Sequence, residues 1–204
     1  MVNTMNTSRL SVTAFSLALC GCSAALVPFS SNPYQVLANA DALLSQGRPT
    51  PAERLINDAL ALCQQRNEPL CLAESYRVYA SFFMSNALIG QWKSHYQQQG
   101  FLDPAATYDS RYERALYYLE NALPPYRAAK KYDALTNLKL NTGLAYFHLG
   151  DLKKACAAFD ESVLANQQNL RVNPSARVVL PQGFASYESY INRVKTEVGC
   201  LAAG

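Results

Sequence analysis

A chain of 204 residues, half of them hydrophobic and 16% charged, is long enough for one compact domain or a short helical array with a real core. Its net charge is +3, falling by one to +2 without residues 1–21, which carry Arg9 and no acid. That balance gives neither the clustered basic face of a nucleic-acid binder nor a polybasic run able to hold a membrane surface, so no nucleic-acid partner is expected.

Residues 1–9 are polar with a single basic side chain, and residues 10–19 are predominantly apolar. Ten residues are too few to cross a bilayer, which needs roughly twenty, but they suit the apolar region of a secretory signal. Leu19-Cys20-Gly21-Cys22-Ser23 follows. This run resembles the lipobox of bacterial lipoproteins, with Leu at −3, Gly at −1 and Cys22 as the acylated residue. Cys20 is the poorer candidate because Leu19 stands directly before it. The resemblance implies a signal peptide over 1–21, a lipidated tether over 22–32, and firm anchoring through acyl chains on Cys22. Ser23, in place of Asp, implies export to the outer membrane, with the protein facing the periplasm.

From Pro33 onward the apolar spacing is helical. Residues 33–63 form a first helix pair, with Ala40, Leu43 and Gly47 on one member and Ala52, Ile56 and Ala59 on the other. Pro51 falls in the first turn of the second helix, where its missing N–H costs little. A middle pair carries Tyr76, Tyr79, Ala80 and Phe83, then Ala115, Leu119 and Ala122. Its members are separated by an insertion near 86–108 that holds Trp92, His95, Tyr96 and Phe101. Connections are commonly a few residues long, so this insertion is expected to extend the helices or to face a partner. Pro124-Pro125 is expected to close the middle pair. In residues 138–159, Gly143, Ala145, Tyr146, Gly150, Leu152, Ala155 and Phe159 resemble the tetratricopeptide repeat. There Gly143 and Ala155 are small where the helices approach, Gly150 ends the first helix, and Tyr146 and Phe159 fill the seam. The resemblance implies an all-α, TPR-like array of about three hairpins over 33–169. Beyond it, residues 170–204 read as a linker with Pro174 and Pro181 and an amphipathic helix. That helix carries Phe184, Tyr187, Ile191, Val194 and Val198 and is expected to cap the last repeat.

Four cysteines follow the anchor: Cys63, Cys71, Cys156 and Cys200. An even number in an exported protein reads as a disulfide framework with three connectivities. Cys63 ends one helix and Cys71 begins the next, while Cys156 lies where the capping helix ending at Cys200 should pack. The expected pairs are therefore Cys63–Cys71 and Cys156–Cys200. No Cys-x-x-Cys or paired short spacing follows Cys22 to suggest redox chemistry or zinc, and neither metal nor cofactor is expected.

No phosphate-cradling glycine loop, Gly-x-Ser-x-Gly elbow or His-Glu-x-x-His helix occurs, so no catalytic residues are assigned. Glu113 and Glu120 with Arg111 and Arg114 read as a solvated helix face, and His148 as a cation near a helix C-terminus. The repeat resemblance implies that first-helix positions meet a protein or peptide partner. These are Asp41 in the first copy, Arg77 and Ser81 in the second, and Asn141, Leu144 and His148 in the third. Trp92, His95 and Tyr96 of the insertion are further candidates. In plan the chain resembles pilotins of type IV pili and other repeat-containing outer-membrane lipoproteins. It is expected to be a non-catalytic envelope adaptor. The alternatives are a small carrier or immunity-type binder, and a cell-wall enzyme with its site in the insertion.

Overall fold

The computed structural model describes residues 30–201; the expected signal peptide, Cys22 and most of the expected tether lie outside the described residues. The described residues form eight α-helices: α1 (Pro33–Ser45), α2 (Pro49–Arg66), α3 (Pro69–Met84), α4 (Gln91–Gln99), α5 (Arg111–Ala128), α6 (Tyr132–His148), α7 (Leu152–Val172) and α8 (Tyr187–Val198). A single 3-10 turn, Asn86–Leu88, precedes α4, and no strand occurs among the described residues. No described helix is long and apolar enough to cross a membrane.

Helices α1 and α2, α3 and α5, and α6 and α7 pair as three hairpins. The second helix of each hairpin packs on the first helix of the next, and the first helices α1, α3 and α6 neighbour one another in that order. Local chemistry sets the boundaries. Asn32 caps α1 by accepting from Tyr34 N, and proline stands in the first turn of α1, α2 and α3, where a missing N–H is no loss. Asn67 ends α2 in the left-handed conformation.

Two sequence-derived boundaries differ. Pro124 and Pro125 lie inside α5, which runs on to Ala128, and the turn falls instead where Lys130 adopts φ 52°. Buried Tyr126 accounts for the extra turn, because its hydroxyl donates to Glu74 on α3 and its ring is enclosed. The capping helix begins at Tyr187 rather than Phe184. Ser186 accepts from Ser189 N while Ser189 Oγ accepts from Ser186 N, a reciprocal cap that fixes the start.

The insertion neither lengthens the helices nor projects outward. It lies across the first two hairpins as a strap, with Leu88, Tyr96, Ala106 and Tyr108 buried. Trp92 Nε1 donates to Gly47 O in the α1–α2 turn at 2.9 Å. Tyr96 and Phe101 stack at 4.6 Å, and Phe101 meets Phe83 at 5.0 Å. Tyr79 in turn lies 4.8 Å from Phe83 and 4.7 Å from Tyr118, so one aromatic cluster joins strap, α3 and α5. Burying rings on this scale dominates local stability, each contributing on the order of 1.5–3 kcal/mol.

A second, smaller core lies between α6, α7 and α8, built on Ala155, Phe159, Tyr187 and Ile191. It is stapled by Cys156–Cys200, whose Cα atoms are 5.6 Å apart. Cys63–Cys71 joins α2 to α3 with a Cα separation of 5.4 Å. Both separations match the distance a disulfide requires.

Candidate protein-binding surface

The helices α1, α3 and α6, which neighbour one another along one side, carry Asp41, Arg77, Ser81 and Asn141 of the residues expected to meet a partner. Asp41 is exposed on α1, while Arg77 and Ser81 on α3 and Asn141 on α6 are half-buried. Arg77 is held in place by Glu74 one turn earlier: Nε donates to Oε2 at 3.1 Å and Nη2 to Oε1 at 2.6 Å. Tyr126 donates to the same carboxylate. Burial alone would push Glu74 up, but the hydrogen bonds and charge of Arg77 outweigh it and hold the carboxyl below its ordinary range. Arg77 therefore presents an oriented, half-neutralised guanidinium rather than a loose charge.

The remaining candidates are placed differently. Leu144 is half-buried and packs against the small core under α8, so part of its surface serves the cap. Tyr96 is 2% exposed and offers no surface to a partner; its ring completes the aromatic cluster. Trp92 and His95 are half-buried on α4, with ring centroids 5.5 Å apart.

His148 ends α6, as expected, but its imidazole stacks on Tyr112 at 4.4 Å. Burial, and secondarily the Arg111 charge, depresses its pKa, so the imidazolium expected at the helix end is disfavoured. Arg111 itself lies between two rings, 4.4 Å from the Tyr108 centroid and 4.2 Å from that of Tyr112. Its Nη1 donates to Tyr108 O and its Nη2 to the Tyr112 hydroxyl. Arg114 pairs with Asp103. Of the face expected to be solvated, Glu113 and Glu120 are exposed, whereas Arg111 and Arg114 are engaged by aromatic rings and by the strap.

A buried polar network was not anticipated from the sequence. Glu53 on α2 is 3% exposed, and its Oε1 accepts from Leu102 N at 2.7 Å and from the Tyr79 hydroxyl at 3.0 Å. Asn57 Nδ2 donates to Glu53 O and to the Tyr79 hydroxyl oxygen. Beside it, Asp103 accepts from Arg114 Nε, from the Tyr118 hydroxyl at 2.9 Å and from Ala105 N at 3.0 Å. Burial, reinforced by the Asp103 charge, pushes Glu53 up to about 7 despite the donors that favour its carboxylate. The clue in the sequence was its register: Glu53 lies three and seven residues before Ile56 and Leu60, on the apolar stripe of α2.

Grooves run between second helices. One, of about 420 Å³, lies between α2 and α5 and is lined by Asn57, Tyr76, Leu102, Asp103, Arg114 and Tyr117. Another, of about 310 Å³, lies between α5 and α7 over α6, with the Lys139–Glu161 ion pair on its wall. Among the described residues no cluster of His, Cys, Asp and Glu side chains is placed to hold a metal ion. Comparison with protein-family models, curated proteins and solved structures returns no match.

Proposed function

We propose that the protein is a non-catalytic adaptor of the bacterial envelope, anchored in the outer membrane through lipidated Cys22 and facing the periplasm. It binds another envelope protein through a TPR-like repeat surface. The observation that carries this reading is the neighbouring of α1, α3 and α6 along one side of the hairpin array, with α8 sealing the far end. That side holds Asp41, the Glu74–Arg77 pair, Ser81 and Asn141, which offers a polypeptide both charge and hydrogen-bonding groups. Export is supported by the lipobox resemblance and by two disulfides, a feature of oxidising compartments.

Crosslinking in intact envelopes, followed by isolation of the protein, tests the binding role. A discrete crosslinked species is expected, lost in the Arg77→Ala, Asn141→Ala double variant while α-helical content stays the same. Persistence of the species in that variant would remove the α1–α3–α6 side from the reading. Cys22→Ser is expected to release the protein from the membrane fraction, and unchanged fractionation would sink the anchor.

A further inference from the structure

We propose that the insertion is a proton-operated strap: protonated Glu53 seats its 102–106 end against α2, α3 and α5, and ionisation of Glu53 loosens that end. The device rests on where the groups converge. Glu53 Oε1 is the acceptor for Leu102 N, the backbone group through which the strap meets α2. Every element packed on this carboxyl contributes a polar group facing it or its neighbour. These are Asn57 from α2 itself, Tyr79 from α3, Tyr96 from α4, Asp103 from the strap, and Arg114 and Tyr118 from α5 through Asp103. Arg114 is engaged with Asp103, and no ion pair joins Glu53 to a cation among the described residues. An ionised Glu53 is therefore a buried charge without a counter-charge, next to a second carboxylate.

Magnitude decides how far the strap moves. Ionisation opposes seating, but the burial of Leu88, Tyr96 and the Phe101 ring holds the rest of the insertion. The movement is thus confined to residues 102–106, where it works against the Asp103 bonds to Arg114 and Tyr118, and this stretch carries Leu102 and Asp103 from the wall of the groove between α2 and α5. Glu53 protonation then sets the shape of that groove. With the strap end open, Glu53 is hydrated and titrates as an ordinary carboxyl; with it closed, burial pushes the group up to about 7. The closed form holds its proton more tightly. Opening therefore becomes easier as pH rises from the ordinary carboxyl range to about 7, and is constant above that.

Amide hydrogen exchange on the full chain with its disulfides intact, corrected for the intrinsic pH dependence of exchange, tests this. Protection of the Leu102 amide is expected to fall about a hundred-fold between pH ~4.5 and ~7 and then level off. In Glu53→Gln it should stay flat at the acidic level, because the amide oxygen still accepts from Leu102 N and never ionises. Protection of the Leu138 amide in the α6–α7 hairpin should not follow the Leu102 curve. A flat Leu102 profile in the wild type, a retained slope in Glu53→Gln, or Leu138 moving in parallel each overturns the proposal. If Glu53→Gln fails to fold, NMR titration of the Glu53 carboxyl carbon in the wild type decides: a midpoint at the pH where Leu102 protection levels off supports the strap, and a midpoint in the ordinary carboxyl range rejects it.

Discussion

The two ends of the array are held together by different means. Around α3 and the strap, aromatic rings from α3, α4, α5 and the strap loop interlock, and the core is large enough to enclose a carboxyl network. Around α8, the core reduces to a few buried side chains under a short helix, and the contacts added to it are covalent and ionic: Cys156–Cys200 and Lys195–Asp160. A large core can absorb the cost of polar burial, whereas a small one needs help from outside hydrophobic burial.

The sharpest break in this comparison is Phe83→Ala. Phe83 is fully buried and meets Tyr79, Phe82, Phe101 and Tyr118 at ring distances of 4.8 to 5.9 Å. Rings on every side limit collapse into the cavity, so a loss of about 4–5 kcal/mol is expected in denaturant unfolding. Phe159→Ala at the other end should lose less, about 3 kcal/mol, because α8 can settle into the space. Equal losses would mean that the smaller core is as rigid as the larger.

Removing the staples tests the other half of the contrast. Cys156–Cys200 spans 44 residues and Cys63–Cys71 spans 8. Loop-closure entropy then assigns about 4 kcal/mol to the first and about 2.5 kcal/mol to the second. The Cys156→Ser, Cys200→Ser variant should unfold at lower denaturant and lose exchange protection in α8 before α3. If the Cys63→Ser, Cys71→Ser variant is the less stable of the two, the α2–α3 turn depends on its bridge more than loop length accounts for.

The same contrast bears on what could be read from the sequence. Gly143, Tyr146, Gly150, Ala155 and Phe159 announced the third hairpin because close helix packing needs small and large residues at fixed offsets, and offsets survive in a linear chain. The cysteine pairs were legible for a similar reason, since each cysteine stood at a recognisable helix end or seam. The strap was not. Its contacts join residues far apart in sequence: Trp92 to Gly47, Leu102 to Glu53, and Phe101 to Phe83. No periodicity encodes such pairs, and aromatic residues in an insertion serve equally for a recognition loop or a buried plug. Glu53 was hidden by its chemistry, because an acid on a helix is ordinarily read as solvated even when its register places it on the apolar face. At the expected binding surface, position was legible but occupancy was not. Leu144 has the right spacing to meet a partner, yet it already packs in part against the core under the cap.

The smallest expected effect is the most local. A methyl group added at Gly143 would press on the Phe159 ring edge at Cε1 and Cδ1, closer than carbon atoms tolerate. Alanine also favours the helix, by roughly 1 kcal/mol over glycine, so the two effects oppose each other. The clash prevails because Phe159 is fully buried and its ring has little room to turn away. Gly143→Ala should therefore cost about 1–2 kcal/mol net. Pairing it with Phe159→Leu separates the two contributions. Leucine vacates the ring edge that the new methyl would strike, so the double variant should be more stable than the sum of the single losses predicts. Strict additivity in thermal or denaturant unfolding would show that the α6–α7 seam yields freely. In that case the smaller core would be held by Cys156–Cys200 rather than by its packing.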